Sequence, residues 1–353
     1  MNRLTTLLFA ALLAIGLASP VQAEPKKDFR IAWSIYVGWM PWGYAADTGI
    51  VKKWADKYDI SIDVVQINDY VESINQYTAG AFDGCVMTNM DALTIPAAGG
   101  VDSTALIVGD FSNGNDGVVL KGATDLKAIK GRKVNLVELS VSHYLLARGL
   151  ESVGLTERDI TVVNTGDADI VAAAAAPEVD AIVTWNPQLA EVKALHGASL
   201  VFDSADIPGE IIDLMVVNSA TLAANPALGK ALTGAWYETL ALMAAQDAAG
   251  KAAREAMAKA SGTDLAGFAS QLATTQMFYL PAEAVAFSRD PALLRTMDYV
   301  RTFSFAHGLL GEGAKSADAV GIAFPGGSTL GDAGNVKLRF DDAYMKMAAD
   351  GAL

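Results

Sequence analysis

Acidic and aromatic side chains gather in the segments that follow the predicted β-strands, residues 33–44, 66–72, 84–91, 110–117, 135–143, 164–169, 184–188 and 210–216. Ligands of open α/β sheets bind beyond the carboxyl ends of the strands, which makes these segments candidates for a site. Their carboxylates are Asp69, Glu72, Asp91, Asp110, Asp116, Glu138, Asp167, Asp169, Glu210 and Asp213. Their Trp and Tyr residues are Trp33, Tyr36, Trp39, Trp42, Tyr44, Tyr70 and Trp185. The same segments contain no Lys and no Arg.

This combination suits a cation. Aromatic faces attract positive charge by about 0.5–2 kcal/mol, and carboxylates supply negative charge and fixed hydrogen-bond acceptors. Structural roles are the alternative for several members: Trp33 lies inside a strand, and Asp69 with Glu72 forms a start typical of a helix capping box. Glu138 follows the apolar strand Val134–Val137 and has no comparable alternative, so it is a candidate ligand residue.

One segment points to the opposite charge. Ser140–His143 begins a predicted helix, and a helix N-terminus with hydroxyl groups is a ready anion site. Glu138 beside it would repel an anion or would itself be held by those donors. His143 precedes Tyr144 and Leu145, so packing inside the helix is its alternative role. At this position the residues leave both signs of ligand charge open.

The elements that must position these residues alternate between strand and helix, which predicts α/β architecture with parallel sheets. Strands are predicted at 30–35, 60–67, 82–87, 105–108, 117–120, 133–137, 160–163, 181–185, 200–202 and 211–217. Helices are predicted at 42–58, 70–78, 142–153, 169–175 and 188–195. Beyond residue 220 the pattern is mostly helical, at 226–246, 247–260, 281–287 and 291–307.

The alternation restarts near residue 117, so we expect a second α/β lobe inserted into the first. Lobe 1 then comprises 24–114 plus 215–310, lobe 2 comprises 115–214, and 311–353 form a C-terminal extension. Crossings near 112–117 and 212–216 would join the lobes. Asn113–Gly117 has the turn chemistry of a hinge, which is the structural alternative for Asp110 and Asp116. Such hinges allow two lobes to close around a ligand.

The first 23 residues have the features of a cleaved secretory signal peptide. Met1–Arg3 is positively charged, Leu7–Ala18 is apolar, and Val21–Ala23 is a small-x-small cleavage pattern. The apolar run is too short for a membrane-spanning helix, which needs about 20 residues. We therefore predict cleavage after Ala23 and export to a periplasm.

Composition narrows the function class. The 353 residues are 52% hydrophobic and carry a formal charge of -14. This argues against disorder and against a nucleic-acid partner, which would require basic patches. Cys85 is the single cysteine, which excludes an internal disulfide and a multi-cysteine metal site. His143, His196 and His307 lie far apart in sequence. We predict no cofactor, no metal and no catalytic residue, and we expect a monomer.

Four segments carry a family resemblance: Gly38–Trp42, Thr88–Asp91, Ser142–Leu146 and Trp185–Pro187. Together they resemble the periplasmic binding proteins of ABC importers for nitrate, sulfonates and taurine, a family that also includes binders of thiamine precursors. The resemblance covers roughly residues 29–310. It implies a bilobed type II periplasmic-binding fold with two hinge crossings, and delivery of a ligand to an ABC permease and its ATPase.

Within that family the chain is most similar to the subgroup linked to urea carboxylase, which is associated with guanidine use. The resemblance therefore implies guanidinium as the favoured ligand. Its alternatives are a small oxyanion such as nitrate or taurine in the same importer role, and thiamine-pyrimidine-related binding or biosynthesis. The related pyrimidine synthases carry a cysteine cluster, which the lone Cys85 does not match. The expected ligand-binding residues are Tyr36, Trp39, Trp42, Asp69, Asn89, Glu138, Ser142, Trp185 and Asp213.

Overall fold

The computed structural model describes residues 26–353, so the predicted signal peptide and its cleavage site lie outside the described residues. The strands are β1 (Asp28–Trp33), β2 (Ser61–Gln66), β3 (Gly84–Thr88), β4 (Ser103–Ser112), β5 (Asp116–Lys121), β6 (Lys133–Leu136), β7 (Thr161–Asn164), β8 (Ala181–Trp185), β9 (Ala198–Asp203), β10 (Ile212–Asn218), β11 (Thr275–Met277), β12 (Gly321–Ala323), β13 (Thr329–Leu330) and β14 (Val336–Phe340). The helices are α1 (Met40–Asp47), α2 (Ile50–Lys57), α3 (Tyr70–Thr78), α4 (Asn89–Ala92), α5 (Val141–Ser152), α6 (Ile170–Ala175), α7 (Gln188–Lys193), α8 (Ser219–Ala224), α9 (Pro226–Ala244), α10 (Ala248–Ala260), α11 (Leu265–Leu272), α12 (Pro281–Arg289), α13 (Pro291–Ala306) and α14 (Ala343–Ala349).

The strands form two sheets. The first has nine strands in the order β13-β12-β14-β4-β10-β3-β1-β2, with β11 added beside β4. Strand β1 is parallel to β2 and β3, whereas β10 runs antiparallel to both β3 and β4. The carboxyl ends of β1, β3 and β4 and the start of β10 consequently lie at one edge of the sheet.

The second sheet has five strands in the order β7-β6-β8-β5-β9. Strand β6 is parallel to β7 and β8, and β5 is antiparallel to its neighbours β8 and β9. The chain leaves the first sheet after Ser112 and returns to it at Ile212, so the second sheet is inserted between β4 and β10. The start of β5 and the carboxyl end of β8 face the same edge.

Local chemistry explains where the helices differ from the prediction. The single helix expected at 42–58 is two helices, because Gly49 adopts a left-handed conformation with φ 78° and separates α1 from α2. Residues 93–97 form a π-helical turn that contains Pro96. Pro41 occupies the start of α1, where its missing N–H costs no hydrogen bond.

The C-terminal part contains strands that were not predicted. Four short strands, β11 to β14, follow residue 220, and three of them lie within 311–353. Strand β14 pairs in parallel with β4, so this segment extends the first sheet. The mixed α/β class is confirmed. Among residues 26–353, no helix combines the length and the apolar composition needed to cross a bilayer.

Candidate functional site

A small cavity lies between the two sheets, where the carboxyl ends of β1 and β3 face the start of β5 and the carboxyl end of β8. Its volume is about 20 Å³, and one water needs about 10–15 Å³ of such space, so the closed arrangement holds only a very small group. The cavity is lined by Tyr36, Trp39, Tyr70, Thr88, Asp116, Val141, Trp185, Ile211 and Asp213.

Aromatic rings form the walls of the cavity. Trp39 stacks on Tyr70 with ring centroids 5.6 Å apart, and Tyr36 meets Trp39 edge-on at 5.0 Å. From the second sheet, Trp185 contacts Tyr70 edge-on at 5.7 Å. Three rings from segments of the first sheet and one from the second sheet thus surround the cavity.

Gly38 allows this loop to approach the first sheet. A Cβ atom at Gly38 would lie 2.4 Å from Oδ2 of Asp110 and 2.5 Å from Cε1 of Tyr36. Both distances are far below van der Waals contact, so only glycine lets the chain pass here. The glycine therefore sets where Tyr36 and Trp39 stand relative to β4.

Two carboxylates reach the cavity from opposite sheets. Asp213 lies in β10 and is 3% exposed, and Asp116 begins β5 and is also 3% exposed. Asp116 is the register partner of Trp185 in β8, and its Oδ2 accepts a 2.5 Å hydrogen bond from the Ser112 hydroxyl. Among residues 26–353, no ion pair joins either carboxylate to Lys, Arg or His.

A third carboxylate stands behind Asp213. Asp110 in β4 is the register partner of Asp213 in β10 and is fully buried. The Tyr36 hydroxyl donates to Oδ1 of Asp110 at 3.0 Å. Oδ2 of Asp110 is buried without a hydrogen-bond partner.

The pKa values of these three carboxyl groups are raised. Burial raises the pKa of Asp116 and that of Asp110 to about 7, although hydrogen bonds from Ser112 and Tyr36 oppose the rise. Burial also raises the pKa of Asp213 well above its ordinary value, and the negative charge of neighbouring Asp110 adds to the effect. Such groups hold their charge at a cost that an incoming cation would offset.

Asp91 supports one aromatic wall. Its Oδ2 accepts hydrogen bonds from the Tyr70 hydroxyl at 2.6 Å and from the Thr88 hydroxyl at 2.9 Å. Burial raises the pKa of Asp91 to about 6, while those hydrogen bonds and the nearby N–H of Val141 lower it. The first turn of α5 therefore faces a carboxylate of the protein itself.

Four of the residues predicted from sequence line the cavity: Tyr36, Trp39, Trp185 and Asp213. Trp42 is buried beneath them and stacks on Trp236 at 5.1 Å. The Asn89 side chain accepts from the N–H of Ile212 at 3.0 Å and donates to the carbonyl of Glu210, so it anchors the start of β10. Ser142 is fully buried, and its hydroxyl has no hydrogen-bond partner.

The other two predicted residues lie outside the cavity lining. Asp69 is exposed and caps α3, where its side chain accepts the N–H of Glu72 at 2.8 Å. Glu138 is exposed, and its backbone N–H donates to the Asn164 side chain at 3.0 Å. The carboxylates that do line the cavity are Asp116 and Asp213.

Two residues that line the cavity, Tyr70 and Asp116, are not among those predicted from sequence. Tyr70 and Asp116 both belong to the strand-end segments, but Tyr70 was not selected and Asp116 was assigned to the hinge as its alternative. Asp116 could have been selected because it directly precedes a predicted strand next to the crossing between the lobes. That position puts it at the same sheet edge as the end of β8.

A second titratable cluster lies away from the cavity. The Glu157 carboxylate contacts Nε2 of both His143 and His307, and so joins histidines that are distant in sequence. Burial raises the pKa of Glu157, but the two imidazoles outweigh it and lower the pKa to about 2. In the described part of the chain, no group of His, Cys, Asp and Glu has the arrangement of a metal site.

Solved structures share this fold. The alkanesulfonate-binding protein SsuA of Xanthomonas axonopodis pv. citri bound to MOPS matches with a TM-score of 0.66 and 18% identity, over 82% of this chain and 96% of that one. The periplasmic aliphatic sulphonate binding protein SsuA of Escherichia coli matches with a TM-score of 0.64 and 19% identity, over 81% and 94%. The periplasmic nitrate-binding protein NrtA of Synechocystis PCC 6803 matches with a TM-score of 0.58 and 12% identity, over 93% and 99%.

These likenesses confirm the bilobed fold of periplasmic binding proteins that was predicted from sequence. A search of curated proteins gives no match. The sequence model of the family described as NMT1/THI5 like matches residues 50–249, which is more than half of the chain. The chain therefore belongs to the NMT1/THI5-like family.

Proposed function

We propose that this chain is the periplasmic solute-binding component of an ABC importer and that it captures a small planar cation, guanidinium above others. One observation carries the choice of ligand charge: Asp116 and Asp213 approach one aromatic-walled cavity from two different sheets. No Lys, Arg or His is among the residues that line it.

Guanidinium matches the chemistry of the cavity. It is planar and, like the arginine head group, stays charged at neutral pH. Trp39 and Trp185 line the cavity and would supply aromatic rings to its plane, and the carboxylates of Asp116 and Asp213 would supply acceptors to its N–H groups. A cavity of about 20 Å³ also favours a ligand of a few heavy atoms over a sulfonate with a long organic tail.

The position of the carboxylates couples binding to lobe closure. Asp213 belongs to the first sheet and Asp116 to the inserted one, so a cation held by both bridges them. The lobe bounds expected from sequence, 24–114 plus 215–310 for lobe 1 and 115–214 for lobe 2, shift in this proposal at the second crossing, because β10 and with it Asp213 belong to the first sheet from Ile212 onward. The closed, loaded monomer would then dock on the permease, whose ATPase drives transport.

The oxyanion alternative draws support from two unpartnered donors. The indole N–H of Trp39 and the hydroxyl of Ser142 are both buried without a hydrogen-bond partner. Against it, the N-terminus of α5 already faces the Asp91 carboxylate. An anion in the cavity would also meet Asp116 and Asp213 with no cation to offset them. Thiamine-pyrimidine ligands are larger than the cavity and would have to reshape it.

Thermal-shift and calorimetric measurements on stripped, purified protein test the proposal. A ligand present at 100 times its dissociation constant stabilises the protein by about 2.7 kcal/mol. We expect this from guanidinium, a weaker effect from methylguanidine, and none from urea, which has similar shape but no charge. Stabilisation by taurine or nitrate without any by guanidinium would establish the oxyanion reading instead.

A further inference from the structure

Asp110 and Asp213 form a pair of carboxyl groups that cannot both be ionised without strong repulsion. They face each other across β4 and β10 as register partners, and each is almost completely buried. The negative charge of Asp110 adds to the rise in the pKa of Asp213, as expected for two adjacent carboxyl groups. Two adjacent buried carboxyl groups favour holding one proton between them, and Oδ2 of Asp110 has no hydrogen-bond partner.

The surroundings of the pair supply no compensating positive charge. The titratable groups that face it are Tyr36, Tyr279 and Asp116, of which the last is itself acidic. The charged groups on the packed helices and strands are engaged elsewhere. Arg254 donates to backbone carbonyls, Arg289 pairs with Asp342, and Arg339 pairs with Asp102. Glu283 on α12 accepts the backbone N–H of Leu280. In the part of the chain that the structure describes, the pair therefore has no cationic partner of its own.

We propose that one proton shared by Asp110 and Asp213 takes the place of the missing cation in the empty closed site, and that an arriving cation displaces it. The step breaks the O–H bond of the shared carboxyl, and the proton passes to a solvent or buffer base. Asp213 faces the ligand, whereas Asp110 does not line the cavity. Asp110 is thus a positioning residue that sets the charge of Asp213. This inference rests on the proposed binding of a cation.

The exchange fixes the direction of the pH dependence. Binding that releases one proton becomes weaker as the proton concentration rises. The dissociation constant for guanidinium should then increase by as much as tenfold for each pH unit on the acid side of the pair's titration, and should level off on the alkaline side.

Asp110→Asn separates this role from a structural one. The carboxamide can still accept the Tyr36 hydroxyl and can donate an N–H to Asp213, which keeps Asp213 ionised without a shared proton. Calorimetry of guanidinium binding in phosphate and in Tris, which differ in ionisation enthalpy, counts the protons released. We expect the native protein and the control Asp169→Asn, which replaces an exposed carboxylate, to release about one proton per ligand more than Asp110→Asn releases when it binds.

A measurement without ligand provides a second readout. The carbonyl stretch of a protonated buried carboxyl should be present in the infrared spectrum of the empty native protein and should be reduced in Asp110→Asn. Guanidinium binding with no proton release and a dissociation constant that is flat from pH 6 to 8 would overturn the exchange and leave the proposed ligand intact. Absence of any cation binding would overturn both.

Discussion

Asp116 and Asp213 line one cavity although they belong to different sheets, Asp116 at the first residue of β5 and Asp213 near the start of β10. Strands β5 and β10 do not pair with each other, so no strand pairing brings these two residues together. Their approach depends on the two lobes being closed. Binding of a cation by both carboxylates would therefore depend on lobe closure as well as on the charge of the ligand.

Replacement of either carboxylate by the neutral amide should weaken guanidinium binding. A hydrogen bond to a charged group contributes about 1.5–3 kcal/mol, so Asp213→Asn and Asp116→Asn should each raise the dissociation constant roughly 10- to 150-fold. Calorimetry measures this, with Asp169→Asn as the exposed matched control. Native affinity in both cavity variants would remove these carboxylates from the site.

The ligand-free protein should lose stability as the pH rises from about 4 to 7. Burial raises the pKa of Asp91 to about 6 and that of Asp116 to about 7 from an ordinary value of 3.8. Over that range the folded protein binds more protons than the unfolded chain, so the free energy of unfolding falls as pH rises. In thermal melts, the melting temperature of Asp116→Asn should rise relative to that of the native protein between pH 5 and 7.5. A constant difference over this range would contradict the raised pKa.

Trp185 should contribute to affinity through its ring face rather than through its N–H. The ring lies against Tyr70 at the cavity, and a cation over an aromatic face gains about 0.5–2 kcal/mol. We expect Trp185→Ala to weaken guanidinium binding roughly 2- to 30-fold and Trp185→Phe to retain most of it. Equal losses in the two variants would show that ring stacking is not the cause.

Gly38→Ala should damage the site through crowding. The new methyl group would stand 2.4 Å from Oδ2 of Asp110, and overpacking of this kind costs about 1–3 kcal/mol. We expect a lower melting temperature and weaker guanidinium binding together. Gly166→Ala is the matched control, because a Cβ there meets nothing within 4 Å. A Gly38 variant that behaves like this control would show that the loop can move away freely.

Glu138 allows a direct comparison between the sequence prediction and the cavity. Its carboxylate is predicted from sequence to contact the ligand, whereas in the structure the residue is exposed and does not line the cavity. From its exposure we expect Glu138→Gln to change the guanidinium dissociation constant less than twofold in calorimetry. A tenfold loss would place Glu138 in the site and would require a different closed arrangement.

The alternating pattern of strands and helices was sufficient to predict the two-sheet architecture, because short apolar runs and helical spacing are local properties of the chain. The strand ends likewise indicated Tyr36, Trp39, Trp185 and Asp213. The register between distant strands is not local. That Asp110 stands behind Asp213 follows only from the pairing of β4 with β10.

The predicted residues that do not line the cavity illustrate the same limit. Asp69 has the correct chemistry, but its side chain is used by the first turn of α3. The Asn89 side chain could bind a ligand by its chemistry, but in the fold it hydrogen-bonds to the backbone at the start of β10. Long-range strands such as β14 also gave no usable signal, since five residues next to a helix carry too little periodicity.

The pairing of β14 with β4 has a consequence for the integrity of the chain. Residues 338–340 hydrogen-bond along Ser103–Ala105, on the side of β4 away from β10. Without them that flank of β4 would be a bare edge, with unpaired N–H and C=O groups able to recruit a strand from another molecule. The last 43 residues therefore cover a sheet edge. We expect a chain shortened to end at residue 310 to leave β4, the strand that carries Asp110, open to pairing with a strand of another molecule.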